Sequence, residues 1–84
     1  MSLFSLISNP LRNLSDLKKG ETATIRGFSD ERLSLKLMDM GCLPGTQIEL
    51  LGRAPLGDPL LILVGSSSLA IRNQEACSIL LEPR

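Results

Sequence analysis

From Glu21 to Phe28, polar and apolar positions roughly alternate. Ala23 and Ile25 fall on one side and Thr22, Thr24 and Arg26 on the other. A two-residue period of this kind predicts a strand with one buried face. The period then lengthens. Leu33, Leu37 and Met40 stand at i, i+4 and i+7, the spacing of one helical face, within a helix predicted from Asp30 to Met40. Ser29 or Asp30 caps its start, Asp30 and Glu31 lie where the helix dipole favours acid, and Gly41 ends it as a left-handed C-cap. In Leu43-Pro44-Gly45-Thr46, Pro comes second and Gly third, the pattern of a type II turn.

Strand patterns fill the rest. Thr46 to Arg53 puts Ile48 and Leu50 on one face and Gln47 and Glu49 on the other. The loop from Ala54 to Pro59, with Pro55 and Gly57, is dense in turn formers. Leu60 to Val64 is apolar on both faces, Gly65 to Ser68 predicts a tight hairpin into Leu69–Arg72, Asn73 to Ala76 a further turn, and Ser78 to Glu82 a last strand. Upstream, Leu14 to Gly20 predicts one helical or 3₁₀ turn, capped by Asn13 or Ser15 and stopped by Gly20. Residues 1–13 read as an N-terminal extension, in which Leu3, Leu6 and Ile7 form a short apolar stripe beside Phe4 and Pro10 ends any helix. Residues 14–84 read as the domain.

The order is therefore β, α, then four more strands: a mainly β fold, a small five-stranded barrel, closed or nearly closed, with one inserted helix and a short N-terminal helical turn. Closure protects the edges that a small open sheet exposes. Ala23, Ile25, Ile48, Leu50, Leu60, Ile62, Val64, Leu69, Ile71, Ile79 and Leu81 are assigned to its interior. Phe28, Leu51, Leu61, Leu63 and Leu80 then face outward, some of them covered by the helix stripe in a second small core. Leu35 and Met38 lie off that stripe, and Leu43 and Leu56 sit in loops. These four are the candidate partner-binding residues, Met38 being suited by its flexible side chain. Gly41, Pro44, Gly45, Pro55 and Gly57 are assigned to turns and caps. Arg72 and Glu75 flank a tight turn and read as a local ion pair holding it.

Composition narrows the chemistry. At 84 residues the chain makes one domain with one small core. Nine basic residues balance nine acidic ones, and Phe4 and Phe28 are the only aromatics. Nucleic-acid binders rely on a basic footprint or on stacking platforms, so no nucleic-acid partner is expected. No histidine is present, which removes the commonest general base and every Cys-His or Ser-His-Asp arrangement. No catalytic residue and no metal ligand set is assigned, and no enzymatic activity is expected. Cys42 and Cys77 are far apart and outside any C-x-x-C pair, so free thiols in the cytoplasm are the simplest reading. Cys42, at the helix C-terminus, is read as a small buried apolar residue, since that end of the dipole disfavours a thiolate. The first residues lack a basic n-region, and no segment approaches the ~20 apolar residues of a bilayer span. Without aromatic walls for polyproline, aliphatic surface or an exposed strand edge must do any binding.

Several segments resemble the FeoA family, the small cytosolic proteins of bacterial ferrous iron transport. Leu14-x-x-Leu17-x-x-Gly20-Glu21 with Ala23-x-Ile25 is similar to the family's opening turn and first strand. The run Leu37-Met38-Asp39-Met40-Gly41-Cys42-Leu43-Pro44-Gly45-Thr46 resembles its most characteristic stretch. Ala54 to Leu60 is similar to its following loop, and Leu69-Ala-Ile-Arg72 with Glu75-Ala76 and Ile79 to its final hairpin. Residues 1–13 fall outside the pattern, and Ile71 stands where the family often has Leu. The resemblance implies an SH3-like barrel with an inserted helix. It also implies a non-catalytic accessory that binds the cytosolic region of a FeoB-type membrane transporter; it does not imply iron binding by this chain, and no cofactor is assigned. It leaves room for weak ferrous iron binding, as in an iron-sensing module, for an adaptor with an unrelated protein partner, and for a homo-oligomer.

Overall fold

A computed structural model describes residues 12–83; the stripe of Leu3, Leu6 and Ile7 lies outside the described residues. Asn13 opens the fold. Its Oδ1 accepts the Ser15 N–H at 2.9 Å, while Asp16 Oδ2 accepts the Asn13 N–H at 3.0 Å. This reciprocal capping box starts a 3₁₀ turn, Leu14–Asp16, and buries Leu14 and Leu17. Gly20, at φ +86°, ends the segment and sends its N–H to Leu50 O at 2.8 Å.

The elements that follow are β1 (Thr22–Phe28), α1 (Glu31–Asp39), β2 (Gln47–Arg53), β3 (Leu60–Val64), β4 (Ser67–Ile71), the short helix α2 (Asn73–Ala76) and β5 (Ile79–Leu81). Asn73–Ala76 is thus a helical turn. All strand pairs are antiparallel, in the order β4-β3-β2-β1-β5. Strand β1 changes partner midway: Thr22 to Thr24 pair with β2, and Ile25 to Phe28 pair with β5. Irregularities between Ile25 and Gly27 and between Leu50 and Gly52 bend β1 and β2. Bends of this kind curl a sheet around its core. The expected closure is incomplete: the edge strands β4 and β5 do not pair with each other, and α2 spans the step between them.

The interior follows the alternation. Ile25, Ile48, Leu50, Leu60, Ile62, Ile71, Ile79 and Leu81 are fully buried, and Ala23 and Leu69 are half-buried beside them. Burying one such aliphatic side chain contributes roughly 1.5–3 kcal/mol. Among the described residues the helix stripe joins the main core and makes no separate second one. Helix α1 packs on β1, puts Leu37 into the single main cluster, and rests Leu33 and Met40 against that cluster together with Phe28. The outer faces of β2 and β3 stay uncovered among the described residues, so Leu61 remains 44% exposed.

Candidate docking surface

Helix α1 sets two of the four candidates. Asp30 caps it, accepting the Arg32 N–H at 2.9 Å. With Leu37 turned into the core, the opposite flank carries Leu35 outward, 74% exposed. Met38 is half-buried. The helix ends in a Schellman motif: the Cys42 N–H reaches Leu37 O at 3.0 Å and the Gly41 N–H reaches Met38 O at 3.0 Å. Gly41 takes φ +106° there, and Leu37 and Cys42 are both buried.

Leu43 comes next, 49% exposed. It opens the type II turn read from Pro44-Gly45: Gly45 has φ +90°, and the Thr46 N–H bonds Leu43 O at 3.0 Å. Two further bonds lock this turn to β1, from the Gly45 N–H to Ile25 O at 2.7 Å and from the Ile25 N–H to Thr46 O at 2.9 Å.

Leu56 occupies the other loop and is 96% exposed. Pro55 precedes it, and the Gly57 N–H closes the turn on Ala54 O at 2.7 Å. The Ala54 N–H bonds Pro59 O at 3.0 Å. A tether then joins this loop to α2. The Asn73 N–H donates to Asp58 Oδ1 at 2.9 Å, and Asn73 Nδ2 donates to Gly57 O at 3.1 Å. Asp58 thereby places a carboxylate at the start of α2, where unpaired N–H groups need acceptors.

From α2 the tether continues to α1. Glu75, only 7% exposed, accepts the Arg72 backbone N–H at 3.1 Å and Lys36 Nζ at 2.5 Å. The hydrogen bond from Lys36, followed by that from the Arg72 N–H, holds the Glu75 carboxyl below the ordinary range against the opposing cost of burial. The local Arg72–Glu75 ion pair expected from sequence is corrected: the short salt bridge of Glu75 is made with Lys36, while Arg72 supplies its backbone N–H and its charge favours the same carboxylate. Sequence reading missed Lys36, Asp58 and Asn73. One signal was available, the acidic residue three positions after Arg72, which has capping-box spacing.

The structure brings Leu35, Met38 and Leu43 onto one helix and its exit turn. Leu56 stands apart, beyond the far end of β2, a strand roughly 20 Å long, and the hydrogen-bonded tether through α2 links it to α1. Beside the base of the Leu56 loop, Gly52, Ala54, Pro59, Leu61 and Ala70 line a shallow, mostly apolar groove of about 290 Å³. Arg53 borders it and donates from Nη2 to Ser15 O and Leu17 O, both at 2.8 Å.

Chemically reactive groups are sparse. Cys42 is buried, and burial, then the nearby Glu75 charge, pushes its thiol up. Cys77 is exposed, with Sγ 3.6 Å from Ser15 Oγ. Among the described residues no three His, Cys, Asp or Glu side chains group in a way that could hold a metal, and no helix is long and apolar enough to cross a membrane.

No curated protein sequence matches the chain. Among solved structures, a FeoA-like protein from Clostridium acetobutylicum is 32% identical, with a TM-score of 0.80, over 88% of this chain and 87% of that one. Iron(II) transport protein A from Clostridium thermocellum is 38% identical, with a TM-score of 0.77, over 84% of this chain and 44% of that one. FeoA from Stenotrophomonas maltophilia, complexed with zinc and described as a prokaryotic SH3 domain protein, shares the fold at 24% identity and a TM-score of 0.72, over 84% of this chain and 89% of that one. The family model for the FeoA domain matches residues 12–83. The described fold and this match agree on one conclusion: the chain belongs to the FeoA family and to the machinery of ferrous iron transport.

Proposed function

We propose that this chain is a non-catalytic, cytoplasmic accessory of ferrous iron uptake that docks on the cytosolic region of a FeoB-type membrane transporter and modulates its activity or assembly. One observation carries the reading: Leu56 stands 96% exposed at the tip of a loop whose backbone is held at both ends and tethered to α2. An apolar side chain presented on a rigid support loses little conformational freedom on binding. Leu35, Met38 and Leu43 supply further apolar contact on the helix side, and exposed apolar groups rimmed by polar ones mark interaction surfaces.

The test is calorimetry or biosensor binding between this chain and the cytosolic domain of the FeoB-type transporter from the same organism. Leu56→Glu and Leu35→Glu should each weaken binding by about tenfold or more, with thermal stability close to that of the parent. Absence of binding by the parent chain, or full binding by the Leu35→Glu/Leu56→Glu double variant, overturns the proposal.

A further inference from the structure

The two edge strands are treated differently. The outer edge of β5 is covered: the Leu81 N–H bonds Arg12 O at 2.8 Å, and Asn13 bridges Leu80. The outer edge of β4 has no backbone partner among the described residues. Strand β4 reads Ser67-Ser68-Leu69-Ala70-Ile71, with no charge and no proline. It pairs with β3 in an unbroken register from Leu60↔Ile71 to Val64↔Ser67, without a bulge. Charges, prolines and bulges are the usual devices that stop an edge from pairing, and β4 has none of them.

The hairpin geometry says which groups are open. A two-residue loop, Gly65-Ser66, joins Val64 to Ser67. In such hairpins the closing pair is hydrogen-bonded, and bonding then alternates along the strand. Ser67, Leu69 and Ile71 therefore bond to β3, while Ser68 and Ala70 turn their N–H and C=O groups to the open side. Both residues are exposed.

We infer that β4 pairs antiparallel with β4 of a second copy of this chain, about a two-fold axis at Leu69. This register sets Ser68 against Ala70 of the second copy, and Ala70 against Ser68 of the second copy, so every outward N–H and C=O finds a partner. Leu69 meets its own copy as the close, non-hydrogen-bonded pair. No like charges oppose, because the strand has none, and a two-fold contact must be self-complementary. On the outer face, Leu61 lies opposite Ala70 and Leu63 opposite Ser68. The apolar row Leu61–Ala70 thus continues into Ser68 and Leu63 of the second copy. A five-residue edge covers less than the ~1,600 Å² of a standard interface, so this dimer is weak and concentration-dependent.

Sedimentation equilibrium from low micromolar to millimolar concentration reads the dimer directly. In the proposed register Ser68→Lys/Ala70→Lys sets Lys against Lys twice and should weaken the dimer about tenfold. Ser68→Lys/Ala70→Glu sets Lys against Glu twice and should strengthen it relative to the parent chain. In the parent chain, amide exchange at Ser68 and Ala70 should slow with rising concentration, a readout that needs no variant to fold. A parent chain that stays monomeric throughout overturns the inference. So does a dimer that the two Lys leave unchanged, or one that Lys with Glu weakens as much as Lys with Lys.

Discussion

Lys36 on α1 donates to the Glu75 carboxylate on α2 at 2.5 Å, joining two helices whose paired residues are 39 positions apart. Glu75 is nearly buried, while the Lys36 side chain is largely in water. The pair ties the helix that presents Leu35 to the helix that holds the Leu56 loop through Asn73. Because the ammonium is solvated, Lys36→Met should cost about 1 kcal/mol. Glu75→Ala also strips the Arg72 N–H of its acceptor and should cost about 2 kcal/mol. Urea unfolding of both variants and their double mutant measures these losses and their coupling; full additivity would show that the pair contributes nothing.

The same carboxylate sets an acid limit on stability. Its folded pKa lies below the unfolded value of about 4.3. The deprotonated form is therefore favoured by folding, and its contribution is complete above that pH. It fades as pH falls through the lower folded pKa. Unfolding free energy should drop below about pH 4, and Glu75→Gln should flatten that drop while lowering stability at neutral pH. A variant whose acid profile parallels the parent's would assign the decline to other carboxylates.

Gly41 isolates the cost of backbone conformation. A Cβ placed there meets nothing within 4 Å, yet φ is +106°. Gly41→Ala should cost about 1–2 kcal/mol through the backbone alone, and Gly45→Ala, at φ +90°, a similar amount. Thermal unfolding reads both. The losses should not be recovered by trimming neighbouring side chains, because no clash causes them.

The two thiols should separate by environment. Cys77 is exposed and Cys42 is buried, with its thiol pushed up by burial and then by Glu75. A disulfide reagent at neutral pH should modify Cys77 promptly and Cys42 only after denaturation. Mass spectrometry after native labelling checks this by the site of the adduct. Rapid native labelling at Cys42 would mean that the end of α1 opens readily.

Much of this protein is legible along the chain. Short-range physics shapes the strand alternation at Ala23 and Ile25, the helix stripe of Leu33, Leu37 and Met40, the left-handed stop at Gly41 and the type II turn at Pro44-Gly45. Each depends on residues within a few positions of one another, so residue type and spacing suffice to read them. The exposure of Leu35 follows from the helix face left over, and that of Leu43 and Leu56 from their places in turns.

Other features depend on residues far apart in sequence meeting in space. The pairing of Glu75 with Lys36, the Asp58–Asn73 tether and the Arg53 bonds to Ser15 and Leu17 each join distant segments. No local pattern encodes which charge meets which: spacing along the chain points Glu75 to Arg72, whereas the salt bridge forms with Lys36. Curvature had the same dependence: the bends in β1 and β2 led the sheet around one core without letting β4 meet β5. The sequence by itself determined the elements, their turns and the buried faces, because those are set by backbone geometry and side-chain period. Tertiary structure alone decided that Arg12 and Asn13 cover one sheet edge and that the uncharged edge of β4 has no backbone partner among the described residues, because an edge is free or covered only by what folds against it.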